Sequence, residues 1–171
     1  MKNKTLWLVR TALLIAILIV LQSVTKPAGQ FVTGSCVNAV LAVSVLLCGL
    51  PSGLTVALIS PFMAFVLGIG PQLIYIVPAI AVGNAVLVVL LHLLYKEKIL
   101  RRVIALLVAA TAKLTMLYLL VSVLLCNVLP LKPPQIANFQ AMFSWPQLVT
   151  ALIGGAVAMV IVPTVKKAIK K

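Results

Sequence analysis

The chain has 171 residues, 64% of them hydrophobic and 9% charged, with 14 Lys and Arg against one acidic residue and a formal net charge of +13. Soluble domains average about 45–50% apolar and about 25% charged, so a soluble fold is excluded, as is a disordered chain. The single carboxylate, Glu97 in the cluster Lys96-Glu97-Lys98, excludes paired-acid hydrolysis, a carboxylate proton relay and metal-dependent chemistry on phosphates.

What remains is an all-α polytopic membrane protein, one integral domain over residues 1–171. The three cysteines, Cys36, Cys48 and Cys126, lie in apolar runs and read as small apolar residues rather than a disulfide framework. No Gly-x-x-x-x-Gly-Lys-Ser/Thr loop occurs, so any uphill transport draws its energy from another polypeptide. One histidine, His92 near a helix end, and no usable acid leave no nucleophile–base pair. Neither an enzyme, a cofactor nor a metal site is expected.

A membrane-crossing helix needs about 20 apolar residues. The first span runs over residues 6–24, with Arg10 placed to snorkel, and no small-x-small cleavage site follows it, so it reads as an uncleaved helix. Between Phe31 and Tyr95 there is no charge, and the punctuation comes from Gly49-Leu50-Pro51-Ser52-Gly53 and Gly68-Ile69-Gly70-Pro71. Those turns give spans over 33–49, 53–68 and 72–95, with Pro61 expected to kink the third. A fifth span covers 103–128, residues 130–144 form a polar connection, and a sixth span covers 145–165 before a Lys-rich tail.

Six spans place Lys2, Lys4, Arg10, Lys96, Lys98, Arg101, Arg102, Lys166, Lys167, Lys170 and Lys171 on one side, and Lys26 and Lys132 on the other. Eleven cations against two orient both termini to the cytoplasm. The same positions account for the net charge through anionic lipid headgroups of the bilayer, without a nucleic-acid partner. Trp7 and Trp145 fit anchoring at the two interfaces.

Two stripes of small residues stand out. The first span carries Ala12-x-x-x-Ala16, flanked by Thr5 and Ser23; the sixth carries Gln147, Ala151, Gly154 and Ala158. Such stripes serve packing within the bundle or docking of a second membrane protein, and both readings stay open.

Lys113 is the sharpest feature. It lies in the middle of the fifth span with no carboxylate to pair with. An ammonium at the bilayer centre costs on the order of 3 kcal/mol or more, and such residues mark function unless they snorkel, give up their proton or bond to freed carbonyls. Mid-helix is the worst place to snorkel from, so the missing negative charge points to an anionic ligand. Asn84, after Gly83, lies about 18 Å deep on the fourth span, and Lys113 about 20 Å deep on the fifth, at the helical rise. Equal depth on neighbouring helices would let both face one cavity; an interhelical hydrogen bond is the bland alternative for Asn84.

Asn127 lies near the Lys113 face, whereas Thr111, Thr115, Tyr118 and Ser122 form a stripe roughly opposite. Which face lines a cavity stays open, although hydroxyls satisfy themselves on helix carbonyls. Gln147 and, in the outer loops, Lys26, Gln30, Phe31, Gln135, Asn138 and Gln140 are further contacts. Lys113, Asn84, Asn127, Gln147 and Gln30 form the expected substrate-binding set.

The segments Thr11-Ala-Leu-Leu-Ile-Ala-Ile17, Val82-Gly-Asn-Ala85 and Trp145-Pro146-Gln147, with the Lys-rich tail, resemble the substrate-binding S component of an energy-coupling factor (ECF) transporter. The resemblance covers nearly the whole chain. It implies a multi-pass protein of the cell membrane that captures a vitamin or related micronutrient from outside. The pocket would lie in the outer half of helices four to six, capped by outer loops. It further implies that Ala12 and Ala16 contact a transmembrane coupling subunit joined to two ABC ATPases. The competing reading is a self-contained small-molecule or anion channel or permease of the membrane, in which an anion path could use Lys113.

Overall fold

The structure, a computed structural model, describes residues 4–169; Lys2, Lys170 and Lys171 of the orienting cations lie outside the described residues. Among the described residues every regular element is helical. Helix α1 spans Lys4–Thr25, α2 Gly29–Cys48, α3 Leu50–Val66 and α4 Ile76–Leu94. Helix α5 spans Ile99–Leu117 and runs on through a π-helical stretch, Tyr118–Leu125, to a last turn at Cys126–Val128. A short α6, Pro133–Met142, precedes α7, Trp145–Ile169.

Four stretches are long and apolar enough to cross a membrane: Lys4–Cys48, Ile76–Leu94, Ile99–Val128 and Pro133–Ala168, with Leu50–Val66 apolar but shorter. The first two expected spans are therefore one helical run of 45 residues, because the joint at Lys26–Ala28 keeps a 3-10 turn. The run folds back on itself there. Gly29 has φ 81° and ψ −177°, a backbone conformation open essentially to glycine alone. The Thr33 hydroxyl donates to the Thr25 carbonyl at 2.8 Å and ties the two arms together. The expected break at 49–53 shrinks to Gly49, with φ 87°, because Pro51 falls in the first turn of α3, where its missing N–H has no partner to lose. The polar connection over 130–144 contains α6, whose first turn is fixed by the Lys132 N–H donating to Gln135 Oε1 at 3.0 Å.

Helix α2 is the hub, packed against α1, α3, α4 and α7. Its contact with α7 is the closest. A Cβ on Gly154 would lie 2.5 Å from the Ser35 carbonyl oxygen and 2.6 Å from the Ala39 nitrogen, so only glycine lets the two backbones meet. Ala151 and Ala158, one turn to either side, are fully buried. The stripe on α7 packs inside the bundle.

Apolar packing concentrates at the end where α1 begins and α7 ends. There Leu41, Val56, Leu87, Leu91, Ala109 and Val162 belong to one cluster drawn from all the long helices, with Leu18 contributed by α1. A second cluster, Ile76, Leu117, Val121, Phe139 and Phe143, joins α4, α5 and α6 at the opposite end. A polar layer and a cavity lie in the opposite half, beside the second cluster.

Candidate substrate site

The ends of α1 and α3, the start of α2 and α4, and the α6–α7 corner converge on a cavity of about 240 Å³. That is below the ~300–1,000 Å³ of sites for drug-sized ligands, so it suits a small molecule. At its inner limit Asn38 of α2, Ser60 of α3, Asn84 of α4 and Lys113 of α5 all line the wall.

Lys113 is 3% exposed, and its Nζ donates to Asn38 Oδ1 at 2.6 Å and to Asn84 Oδ1 at 2.8 Å. An ammonium has donors only, so both amides must turn their oxygens to it and their nitrogens away. Those nitrogens are received: Asn38 Nδ2 donates to Thr150 Oγ1 at 3.3 Å, and Asn84 Nδ2 to Ser60 Oγ at 3.2 Å. The Ser60 hydroxyl lies 3.4 Å from the Ala57 carbonyl, which Pro61 leaves without its usual helix donor. The network runs across five helices, α7, α2, α5, α4 and α3. It satisfies two of the three ammonium hydrogens and neutralises none of the charge. An anion within 4 Å would gain about 4 kcal/mol at an effective dielectric of about 20.

The structure thus brings Lys113 and Asn84 into direct contact. It adds Asn38, which nothing in the sequence singles out, because the polar residues of α2 mark no single face and its rotation is invisible without its neighbours. Gln30 and Gln147 also line the cavity, but both spend their amide nitrogens on the Met142 carbonyl, at 2.7 and 3.1 Å. They pin the end of α6 to α2 and α7 at the mouth. Phe31 and Trp145 brace the same corner, their ring centroids 5.5 Å apart.

Asn127 is elsewhere. It is exposed, and its Nδ2 donates to the Val123 carbonyl at 2.6 Å. The cause is the π-helical stretch, whose wider turns slip the phase of α5 after residue 117, turning Asn127 out and Ser122 in. Thr111, Thr115 and Tyr118 are exposed, so the Lys113 face of α5 is the one that faces the interior. Of the outer-loop residues, Lys26 joins Gln30 at the cavity, whereas Gln135, Asn138 and Gln140 are exposed on α6 away from it. The cavity draws most on α2 and α3, with Val77, Ile80 and Asn84 from the fourth expected helix, Lys113 from the fifth and Gln147 from the sixth.

Ala12 and Ala16 lie on the exposed face of α1, together with Thr5 and Ser23. Beside them, α1, α2 and α7 form an apolar surface groove of about 890 Å³, with Arg10 and Lys166 at one end.

A helical membrane bundle with a small polar-floored cavity at one end, and no nucleotide-binding loop, defines a membrane solute-binding protein. The model of a family described as ECF transporter, substrate-specific component, matches residues 7–166, and the chain belongs to that family. No curated protein and no solved structure matches the chain. Substrate-specific components of ECF transporters work with a membrane coupling subunit and ATPases.

Proposed function

We propose that the protein captures a small anionic, vitamin-like micronutrient from outside the cell and passes it inward when docked on a separate coupling subunit with two ABC ATPases. The observation that carries this reading is Lys113: a buried ammonium in the cavity wall, held by two neutral amide oxygens and facing no acid. A carboxylate-bearing solute would supply the missing charge. Asn84 and Asn38 fix the ammonium, and Gln30 and Gln147 hold the mouth around the solute.

On this reading the chain is a single domain that crosses the cell membrane six times, with both termini cytoplasmic. Support comes from the alternation of α1, α2, α3, α4, α5 and α7, and from charge. Lys4, Arg10, Lys96, Lys98, Arg101, Arg102, Lys166 and Lys167 sit toward the end remote from the cavity. The Ala12–Ala16 face and the groove beside it form the docking surface for the coupling subunit, since small exposed residues permit close helix approach.

The test is mass spectrometry of small molecules released by denaturing the purified protein. A small acid is the expected finding. A neutral or cationic solute, or ATP-independent anion conductance in liposomes, contradicts the proposal.

A further inference from the structure

We infer that Gln22 reads a second group of the substrate: an N–H or O–H donor carried by the same small acid whose negative end meets Lys113. This deepens the proposed function and rests on it.

Four buried side-chain polar atoms among the described residues have no hydrogen-bond partner: Trp7 Nε1, Gln22 Oε1, Tyr95 Oη and Ser122 Oγ. Of these residues, only Gln22 lines the cavity. It is 3% exposed and sits one turn before the end of α1, on the same inner face as Leu18 and Thr11. Gln22 differs from the other carboxamides of the wall, each of which has its nitrogen bonded within the protein. Asn38 and Asn84 are bonded at both amide ends, and Gln30 and Gln147 donate to Met142.

A buried acceptor without a donor lowers stability, and a turn of the Gln22 side chain, which lines the cavity, would offer this oxygen to a donor on whatever fills it. The rest of the wall is mostly apolar, with Val37, Ala64, Phe65, Val77 and Ile80. The complementary solute is therefore a compact acid with an apolar body and one hydrogen-bond donor remote from its negative group. A site built to accept such a hydrogen bond rejects an analogue that lacks the donor, because its own polar atom is then left unpaired.

The probes are pyrrole-3-carboxylate and furan-3-carboxylate, acids of nearly equal shape that differ in a ring N–H against a ring oxygen on the edge away from the carboxylate, with pyrrole-3-carboxamide as the uncharged control. Binding of each to the full chain in lipid nanodiscs is measured by calorimetry and thermal shift, for wild type, Gln22→Met and Lys113→Met. Wild type should prefer the pyrrole acid by about 5- to 150-fold, the range for a lost hydrogen bond to a buried acceptor. Gln22→Met should abolish that preference while leaving the ligand-free melting temperature unchanged or raised, and Lys113→Met should bind neither acid. Equal binding of both acids by wild type, a result that needs no variant, overturns the role of Gln22 and leaves the anionic reading intact. So does a Gln22→Met protein that keeps the preference or melts well below wild type. Failure of wild type to bind either acid, or a preference for the amide, overturns the anionic reading itself.

Discussion

At the end of the bundle remote from the cavity, the fully buried polar residues Thr11, Ser44 and Ser52 are hydroxyls that find partners close at hand, whereas the half-buried Trp7 and Tyr95 leave Nε1 and Oη unpaired. Ser44 donates to the Leu41 carbonyl at 2.7 Å, and Thr11 donates to the Trp7 carbonyl at 2.8 Å while lying 2.9 Å from Ser52 Oγ. At the cavity end the buried groups include an ammonium and three carboxamides, and every side-chain bond of Lys113, Asn38 and Asn84 crosses between helices. Local bonds leave the first region free to pack as a solid apolar core. Crossing bonds in the second hold a charge open at the edge of a void. The difference separates polarity that accompanies folding from polarity that is kept for a ligand.

Four substitutions probe that contrast, and the largest effect is expected in packing. Gly154→Val drives a side chain into the α2 backbone and should cost more than about 3 kcal/mol, read as loss of monodisperse protein in gel filtration. Asn38→Leu, in the polar layer, takes one acceptor from Lys113 and one partner from Thr150. It should lower the stability seen in thermal unfolding by about 1–3 kcal/mol and weaken solute binding by about tenfold. Ala16→Trp, on the exposed face of α1, should change stability by less than about 0.5 kcal/mol and leave binding alone, yet abolish uptake by cells. Loss of binding there would move the stripe into the solute site. Asn127→Ala should be silent in calorimetry and uptake alike; a measurable binding defect would mean that the outer end of α5 also contributes to the site.

The sequence made the helices legible because charge, Pro and Gly punctuate an otherwise apolar chain, and it exposed Lys113 because a mid-membrane cation has so few tolerable surroundings. Depth along two helices was enough to pair Asn84 with it. Rotation was not legible. Asn38 and Gln22 sit in helices whose polar residues mark no single face, where only the packed neighbours tell inside from outside. Asn127 follows the Lys113 face on an ideal α-helix and leaves it once π-helical turns intervene. The stripes on α1 and α7 look alike as sequence, yet Ala12 and Ala16 are exposed while Ala151 and Ala158 are buried. What separates them is the Gly154 contact with α2, a tertiary fact. Helix α6 was hidden by its two prolines, which open the helix instead of preventing it.

The central claim is that the Lys113 ammonium is the anchor for an anion. The most direct measurement is calorimetric binding of the solute that co-purifies with wild type to Lys113→Met protein of unchanged helical content. Loss of one partner from a buried charge pair costs about 2–5 kcal/mol, so affinity should fall by about 30-fold to several thousand-fold. Equal affinity in the two proteins would contradict the account.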